Sequence, residues 1–316
     1  MTGKAGTREK WMSMFKGMGS ILALIILVTA LSIYLPAFRT LTNAMLVLRQ
    51  ASIVGFVAFG MTGIILTGGI DLSVGSILAL TAIIAALLLE SGVPEVAVIL
   101  IALICGLALG SLNGLSITKL RLQPFIATLI GMSVFRGFAL ILTGGRSVTG
   151  LRGFPILEAL GRGVFLGVPI PVWLFAAVFV MFFFLLNKTT LGRRIYAVGS
   201  NATAAHLAGV NITKTKLFVY SISGLMASVS ALILVSRLGS AQPIMGMGLE
   251  LEAIAAVALG GTSMAGGRGK IYGTIAGVLI ISILSNGMNI MGVPSYYQTV
   301  VTGFVILLAV LSDPNR

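Results

Sequence analysis

The stretch TTLGRRIYAVGSNATAAHLAGVNITKTK, residues Thr189–Lys216, is the longest polar, helix-capable break in a chain that is otherwise almost continuously apolar. It contains two arginines, two lysines and a histidine, and it contains no acid. Lys and Arg close to the ends of membrane spans favour the cytoplasmic side. The stretch therefore predicts a cytoplasmic loop over residues 188–216, with membrane-spanning helices before and after it.

Within this loop, Asn201–Val210 predicts one short helix. Ser200 or Asn201 can cap its N-terminus, because a side-chain oxygen there accepts a backbone N–H, and Gly209 can close its C-terminus. A short capped helix at the cytoplasmic face is suited to docking a partner protein. The residues predicted to form this docking helix are Asn201, Ala202, Thr203, Ala204, Ala205, His206, Leu207, Ala208 and Gly209.

The composition of the whole chain is that of a membrane protein. Of its 316 residues, 57% are hydrophobic and 9% are charged, and the mean hydropathy is +1.09. Soluble domains carry about 25% charged residues. The net charge of +13 is spread over short loops. This distribution favours anchoring against anionic lipid and argues against a nucleic-acid partner.

Patterns typical of catalytic and metal-binding sites do not occur in the sequence. The single histidine, His206, excludes a His-rich metal site, and the single cysteine, Cys105, lies in an apolar run as a small buried side chain. We find no zinc-protease motif, no nucleophile elbow and no Cys/His cluster. We therefore expect no catalytic residue, no metal ligand and no enzyme activity in this chain.

Apolar runs and polar breaks predict an all-α polytopic membrane protein with about ten transmembrane helices and with broken or re-entrant segments. Residues 1–19 form a cytoplasmic tail, 20–311 the transmembrane domain, and 312–316 a second cytoplasmic tail. Gly-rich boundaries leave open whether the second and eighth spans cross fully or are re-entrant. The predicted spans are 20–35, 52–67, 76–89, 96–117, 125–142, 172–186, 217–235, 251–259, 271–284 and 299–311.

The distribution of basic residues predicts that both termini are cytoplasmic. In this orientation, 14 of the 21 Lys and Arg residues lie inside and 6 lie outside, and Arg136 falls within the fifth span. The reverse orientation would place those 14 residues outside. The positive-inside rule disfavours that arrangement.

The break LTGGIDLSVGS, Leu66–Ser76, is the strongest local motif. Gly68 and Gly69 permit a tight turn, and the Asp71 carboxylate can accept backbone N–H groups at the start of the next helix. An acid at membrane depth is costly and normally faces protein or water. Two interpretations stay open: a cap that stabilises a broken span, or the border of a translocation pathway and its gate.

The segment ELEAIAAVALGGTSMAGGRGKIYG, Glu250–Gly273, predicts a second tight turn between helices. Arg268 and Lys270 place this turn at the cytoplasmic edge. Ile271 stands where a phosphate-binding loop needs Ser or Thr, which argues against nucleotide binding. The two glutamates at the start of the segment, Glu250 and Glu252, are either solvated charges or partners of Arg237 or of a basic surface on another protein. The glycines predicted to form the two turns are Gly68, Gly69, Gly260, Gly261, Gly266 and Gly267.

Five stretches together resemble the permease subunit of a bacterial ABC importer of the ribose-type monosaccharide family. They extend over essentially the whole chain, and their combination makes the resemblance specific. The stretches are ILTGGIDLSVGSILALT (Ile65–Thr81), QPFIATL (Gln123–Leu129), LGRRIYAVGSNATAAHLAGVN (Leu191–Asn211), SAQPIMGMGLELEAIAAVALGGTSMAGGRGKIYGT (Ser240–Thr274) and GVPSYYQTVVTGFVILLAVLSD (Gly292–Asp313).

This resemblance implies an importer of a monosaccharide such as ribose or a related pentose, located in the bacterial plasma (inner) membrane and surrounded by its lipid. It implies three protein partners: a cytoplasmic ATP-binding subunit, an extracytoplasmic sugar-binding protein and a second permease chain. Asn201–Val210 then matches the coupling helix that inserts into a groove of the ATPase. ATP and magnesium belong to that separate subunit, so no cofactor is expected in this chain.

Two other classes of protein stay open from the sequence. An ion-coupled secondary transporter of a small polar solute usually needs intramembrane ionisable groups, and Asp71 and Arg136 are the candidates for that role. A membrane-embedded scaffold subunit needs no such groups. ATP-dependent uptake that also depends on a binding protein separates the importer from both alternatives.

A pore between two permease chains is expected, because a hydrophilic sugar must cross about 30 Å of hydrocarbon while this chain has few polar side chains within its spans. Such a pore would hold the sugar weakly, and the external protein would supply the affinity. The candidates for the pathway or its gate are Asp71, Ser73, Ser76, Thr128 and Asn286.

Overall fold

The computed structural model describes residues 3–311, with side chains for residues 19–309 and 311, and it is a helical bundle with short strands in its loops. The helices are α1 (Gly3–Tyr34), α2 (Leu41–Leu66), α3 (Val74–Glu90), α4 (Glu95–Thr118), α5 (Pro124–Thr143), α6 (Pro155–Arg162), α7 (Ile170–Lys188), α8 (Thr190–Ser200), α9 (Ala202–Leu207), α10 (Ile212–Leu238), α11 (Leu249–Leu259), α12 (Ile271–Ile290) and α13 (Ser295–Leu311), with a 3₁₀ turn at Pro36–Arg39. The strands are β1 (Val148–Thr149), β2 (Val164–Phe165), β3 (Val168–Pro169) and β4 (Ser240–Ala241).

The bundle contains enough long apolar helices for a multi-pass membrane protein. Within the described residues, six helices are long and apolar enough to cross a bilayer: α2, α4, α5, α7, α10 and α12. Three shorter apolar helical stretches are Gly19–Tyr34, Val74–Glu90 and Ser295–Ala309. The helix α1 begins at Gly3, inside the segment predicted to be an N-terminal tail. The predicted C-terminal tail, 312–316, lies outside the described residues.

The centre of the bundle is formed by α2, α3 and α10, whose residues are mostly buried, whereas α4, α5 and α7 keep one apolar face exposed. Glycines let α4 pack directly against α10. A Cβ added at Gly110 would lie 3.1 Å from the Cα of Gly224, and Gly106 of α4 also faces Gly224. Small residues of this kind permit close helix packing in membranes, where hydrophobic burial between helices is weak.

One end of the bundle gathers the segments that were predicted to be cytoplasmic. We call it the basic end, and it comprises residues 118–124, 188–212 and 260–270 together with the last turn of α2. The Gly267 N–H donates to the Leu66 carbonyl at 3.0 Å, and the Tyr196 hydroxyl donates to the Gly269 carbonyl at 2.9 Å. These two bonds join α2, α8 and the Gly-rich loop before α12.

The opposite end holds the loops that were predicted to be external. There, β1 pairs with β4 in antiparallel register, with Val148 opposite Ala241. The Arg237 guanidinium at the end of α10 donates to the Gln50 side chain at 3.2 Å, and Arg162 donates to the Arg237 carbonyl at 2.6 Å. Hydrogen bonds from Arg162 and Arg237 at this end therefore connect α6 and α2 to α10.

The second span is longer than predicted. We expected it to begin at Ser52, but α2 begins at Leu41. Its first turns contain polar side chains that find partners on other helices: Asn43 and Asn286 exchange two amide hydrogen bonds of 3.0 and 2.8 Å. A side-chain amide whose hydrogen bonds are satisfied costs little free energy to bury in a membrane span. The polar residues before Ser52 therefore did not mark the start of this helix.

The eighth span is not a continuous helix. The helix α11 has 11 residues and rises about 16 Å, roughly half of the hydrocarbon thickness. The chain nevertheless passes from β4 at the opposite end to the Gly-rich loop at the basic end. Turns over residues 243–248 cover the first part of this passage, and Gly246 of that segment lies against Gly75 in the first turn of α3.

Candidate functional site

The helix α9 stands clear of the bundle at the basic end. Asn201 caps it, because its Oδ1 accepts the Ala204 N–H at 2.9 Å. At its other end, Gly209 has φ 81°, and the N–H groups of Gly209 and Val210 donate to the carbonyls of His206 and Ala205. This pair of bonds is a Schellman motif. The two caps satisfy backbone groups at both ends of the six-residue helix, and Ala205 attaches it to the rest of the chain.

The boundaries of this helix differ from the prediction. The structure gives helix over Ala202–Leu207, with Ala208 as the C-cap and Gly209 in the left-handed region, so these two residues belong to the cap. Only Ala205 is buried, and its neighbours in α9 are exposed, including Leu207 at 83%. The exposed face therefore combines an apolar residue with the imidazole of His206.

Sequence reasoning missed the preceding helix, α8. The signal was present: the Thr189 hydroxyl accepts the Gly192 N–H at 3.1 Å as an N-cap, and the buried residues Gly192, Ile195 and Val198 recur at helical spacing. Arg193 and Arg194 point away from that face and are exposed. The predicted loop is thus two helices joined at Asn201.

Contacts of α8 connect α9 to the rest of the basic end. Gly199 packs on the backbone of Leu66 and Gly267. Burial raises the pKa of the Tyr196 hydroxyl, with a smaller contribution from Tyr272, so the hydroxyl stays protonated and can donate to the Gly269 carbonyl. Within this polar stretch, α8 is therefore bonded to the bundle, whereas every residue of α9 except Ala205 is exposed.

The break between α2 and α3 is organised by Asp71. Its Oδ1 accepts the backbone N–H of Ser73 at 2.8 Å and the Ser73 hydroxyl at 2.6 Å. The Asn113 amide of α4 donates to the same hydroxyl at 2.6 Å. The second carboxylate oxygen, Oδ2, is buried and has no hydrogen-bond partner in the described part of the chain. Asp71 thus stabilises the start of α3 and reaches α4 through Ser73.

Four of the five predicted pathway residues come together at this break. Ser76 donates to the Ser73 carbonyl at 2.8 Å, and the Thr128 hydroxyl of α5 lies 3.4 Å from the Ile70 carbonyl. All four, Asp71, Ser73, Ser76 and Thr128, are fully buried within the single chain. Opening a path past them requires α3, α4 and α5 to separate. The fifth residue, Asn286, lies near the opposite end, paired with Asn43.

The predicted turn glycines fall into two groups. Gly68, Gly261, Gly266 and Gly267 have φ between 69° and 89°, in the left-handed region that favours glycine. Gly69 and Gly260 have no such φ, but each meets a close neighbour. Gly260 lies against the backbone of Gly273 in α12, and Gly69 lies against the Tyr220 hydroxyl of α10.

Two charged residues lie together along the interrupted eighth span. Arg136 of α5 donates through Nη1 to the carbonyls of Pro243 and Met245 at 2.7 and 2.8 Å. The Glu250 carboxylate accepts the Gly248 N–H at 3.1 Å. Sequence reasoning treated these residues separately. The shared signal was a charge inside an apolar run on each segment.

Among the residues whose side chains are described, no group of three or more His, Cys, Asp or Glu residues could hold a metal ion.

Fold and site together define a multi-pass helical membrane protein that presents a short, doubly capped helix at its basic end. The chain matches the family described as "Branched-chain amino acid transport system / permease component" over residues 43–310 and belongs to it. It is thus a transport component rather than an enzyme.

Several curated proteins are similar to the chain over most of its length. The ribose import permease protein RbsC of Bacillus subtilis is 51% identical over 299 residues, which cover 95% of this chain and 93% of that protein. The probable ABC transporter permease protein YphD of Escherichia coli is 38% identical over 93% of this chain and 88% of its own length. The D-allose permease AlsC of Escherichia coli is also 38% identical, over 93% and 89%. These findings confirm the resemblance to ribose-type permeases. No solved structure matches the chain.

Proposed function

We propose that this protein is the membrane-spanning permease of an ATP-driven ABC importer and that it carries ribose or a closely related pentose. The observation that carries the proposal is the 51% identity to a ribose import permease over 95% of the chain. The D-allose permease is 38% identical. The substrate proposal follows the higher of these identities.

The proposed ATPase contact is α9 with the exposed edge of α8. Its support is geometric: α9 is capped at both ends by its own chain and exposes every residue except Ala205. A preformed helix loses little conformational entropy when it docks. In this proposal ATP and magnesium are used by the partner subunit, and no cofactor binds here.

The proposed orientation places the basic end in the cytoplasm of a bacterial cell whose inner membrane holds the protein. In the described residues, nine apolar helical stretches and the interrupted span 243–259 would make ten crossings, with both ends of the chain inside. The opposite end would then receive the extracytoplasmic sugar-binding protein. Two permease chains would enclose the pore, since Asp71, Ser73, Ser76 and Thr128 are closed off within one chain.

Reconstitution tests this proposal directly. Proteoliposomes with the permease and its ATPase, ATP inside and a ribose-loaded binding protein outside, should accumulate labelled ribose. Omission of ATP or of the binding protein should abolish accumulation. Uptake that needs only an ion gradient would instead establish the secondary transporter, and equal uptake of D-allose would remove the pentose assignment.

A further inference from the structure

The interrupted eighth span places irregular backbone at membrane depth. Residues 243–248 form turns, with N–H to carbonyl bonds from Met245 to Gln242, from Met247 to Ile244 and from Leu249 to Gly246. Hydrocarbon cannot satisfy the remaining backbone groups. Such backbone occurs within a bilayer only where it is buried in protein or lines a water-filled cavity.

One face of this segment is not buried in the chain. Ala241 and Met245 are buried, whereas Gln242, Ile244 and Met247 are exposed, Met247 at 78%. The depth of the segment follows from its contacts: it touches Gly75 in the first turn of α3 and Arg136 near the middle of α5. An irregular segment with an exposed face at this depth needs water or protein beyond it, because its backbone groups are not all paired within the segment.

The charges beside the segment point to water. The Arg136 guanidinium satisfies two of its carbonyls, and Arg136 itself is only half-buried. Glu250, in the first turn of α11, is half-buried as well. Charged groups at membrane depth normally face the bundle interior or a water-filled cavity. The amide of Gln242, the carboxylate of Glu250 and the guanidinium of Arg136 belong to this segment or contact it, and such groups can exchange hydrogen bonds with the hydroxyl groups of a sugar.

We propose that Gln242–Glu250, together with Arg136, forms the wall of the sugar pathway, and that its polar groups contact the monosaccharide during passage. The proposal rests on the proposed function for the nature of the solute. Its claim about water at this face is independent of that function. The completely buried residues at the Asp71 break then lie next to this wall, at the start of α3.

Cysteine accessibility in the complete complex tests the wall. In a Cys105→Ala background, Met247→Cys is compared with Ile104→Cys, which replaces a residue of α4 that is 65% exposed on an apolar face. A cationic methanethiosulfonate reagent should modify Met247→Cys more than about tenfold faster, because a charged reagent does not enter hydrocarbon. Ile244→Cys should behave like Met247→Cys.

Each other outcome has a defined meaning. Equally slow modification of Met247→Cys and Ile104→Cys would overturn the proposal, since the segment would then face lipid. Slow modification with spontaneous disulfide-linked permease pairs would also overturn it and would make this face a contact between two copies. Rapid modification that leaves ribose uptake of the same variant unchanged would remove it from the pathway. Absence of uptake before labelling would count against the proposed function, while the labelling rates would still report on water.

Discussion

Gly110→Ala is predicted to destabilise the protein by loosening the contact between α4 and α10. The added Cβ would lie 3.1 Å from both the Cα and the N of Gly224, and closer still to the Tyr220 carbonyl oxygen. These are backbone atoms of a helix and cannot rotate away. The two helices must therefore separate by roughly 1 Å to restore ordinary carbon contacts of about 3.5–4.0 Å.

The magnitude follows from two opposing effects. Overpacking of this kind costs about 1–3 kcal/mol, whereas alanine is preferred to glycine in a helix by about 0.5–1 kcal/mol. Near the middle of these ranges the net loss is about 1–2 kcal/mol, which lowers the melting temperature of a chain of 316 residues by about 1.5–3 °C. Gly137→Ala in α5 is the matched control, because no atom lies within 4 Å of its added Cβ. It should leave the melting temperature unchanged or raise it by up to about 1.5 °C.

The single cysteine supplies the assay. Cys105 lies in α4 beside Gly106 and is half-buried, so a thiol-reactive fluorophore reports when α4 leaves the bundle in detergent. The two variants are heated in parallel with the unsubstituted protein. Equal melting temperatures for Gly110→Ala and Gly137→Ala would refute the argument that backbone contact, rather than helix propensity, decides the effect.

Three further predictions concern the basic end and the break. Asp71→Asn should keep part of the ribose uptake, because its amide oxygen can still accept the Ser73 N–H. Asp71→Leu should be worse, because it leaves the Ser73 N–H and hydroxyl unpaired at a cost of about 1–3 kcal/mol each. Equal and complete loss of uptake in both variants, at normal protein levels, would indicate an obligatory charge. Leu207→Ser should weaken ATPase binding by about fivefold, which corresponds to a loss of about 1 kcal/mol from the exposed Leu207 side chain. Leu166→Ser, at the opposite end and 78% exposed, should not change that affinity, and equal effects of the two would exclude α9 as the contact. Tyr196→Phe removes the bond to the Gly269 carbonyl and should cost about 0.5–1.5 kcal/mol of stability; an unchanged melting curve would show that this bond contributes nothing.

Most helices could be predicted from the sequence because long apolar runs leave few alternatives in a membrane. The exceptions have physical causes. The start of α2 was missed because the polar residue Asn43 is paired with Asn286, which is 243 positions away, and such pairing cannot be read from local pattern. The interruption before α11 was visible in the Pro and Gly of SAQPIMGMG, but a proline and glycines do not indicate how far the irregular part extends.

The site was predictable in its local parts and not in its assembly. Caps at Asn201 and Gly209 follow from residue type at helix ends, and both occur. The grouping of Asp71 with Ser73, Ser76 and Thr128 depends on three helices meeting, and only the polarity of these residues could be read from the sequence. The role of these four residues as a gate stays a prediction. The hydrogen bonds from Arg136 to the carbonyls of residues 243 and 245 could not be predicted from the sequence, because the sequence does not show how deep in the membrane the irregular segment lies.

The bond between Gly267 and Leu66 also constrains how the chain can be made. Leu66 ends α2, and its carbonyl has no partner within that helix; the partner is an N–H about 200 residues later in the chain. At a synthesis rate of about 5–20 residues per second, that partner emerges roughly 10–40 s after α2. During this interval the turn at Gly68 lacks the loop that closes over it. The turn at Gly68 therefore reaches its final form only after residue 267 has been translated, which makes its closure a late event of biogenesis despite its early place in the sequence.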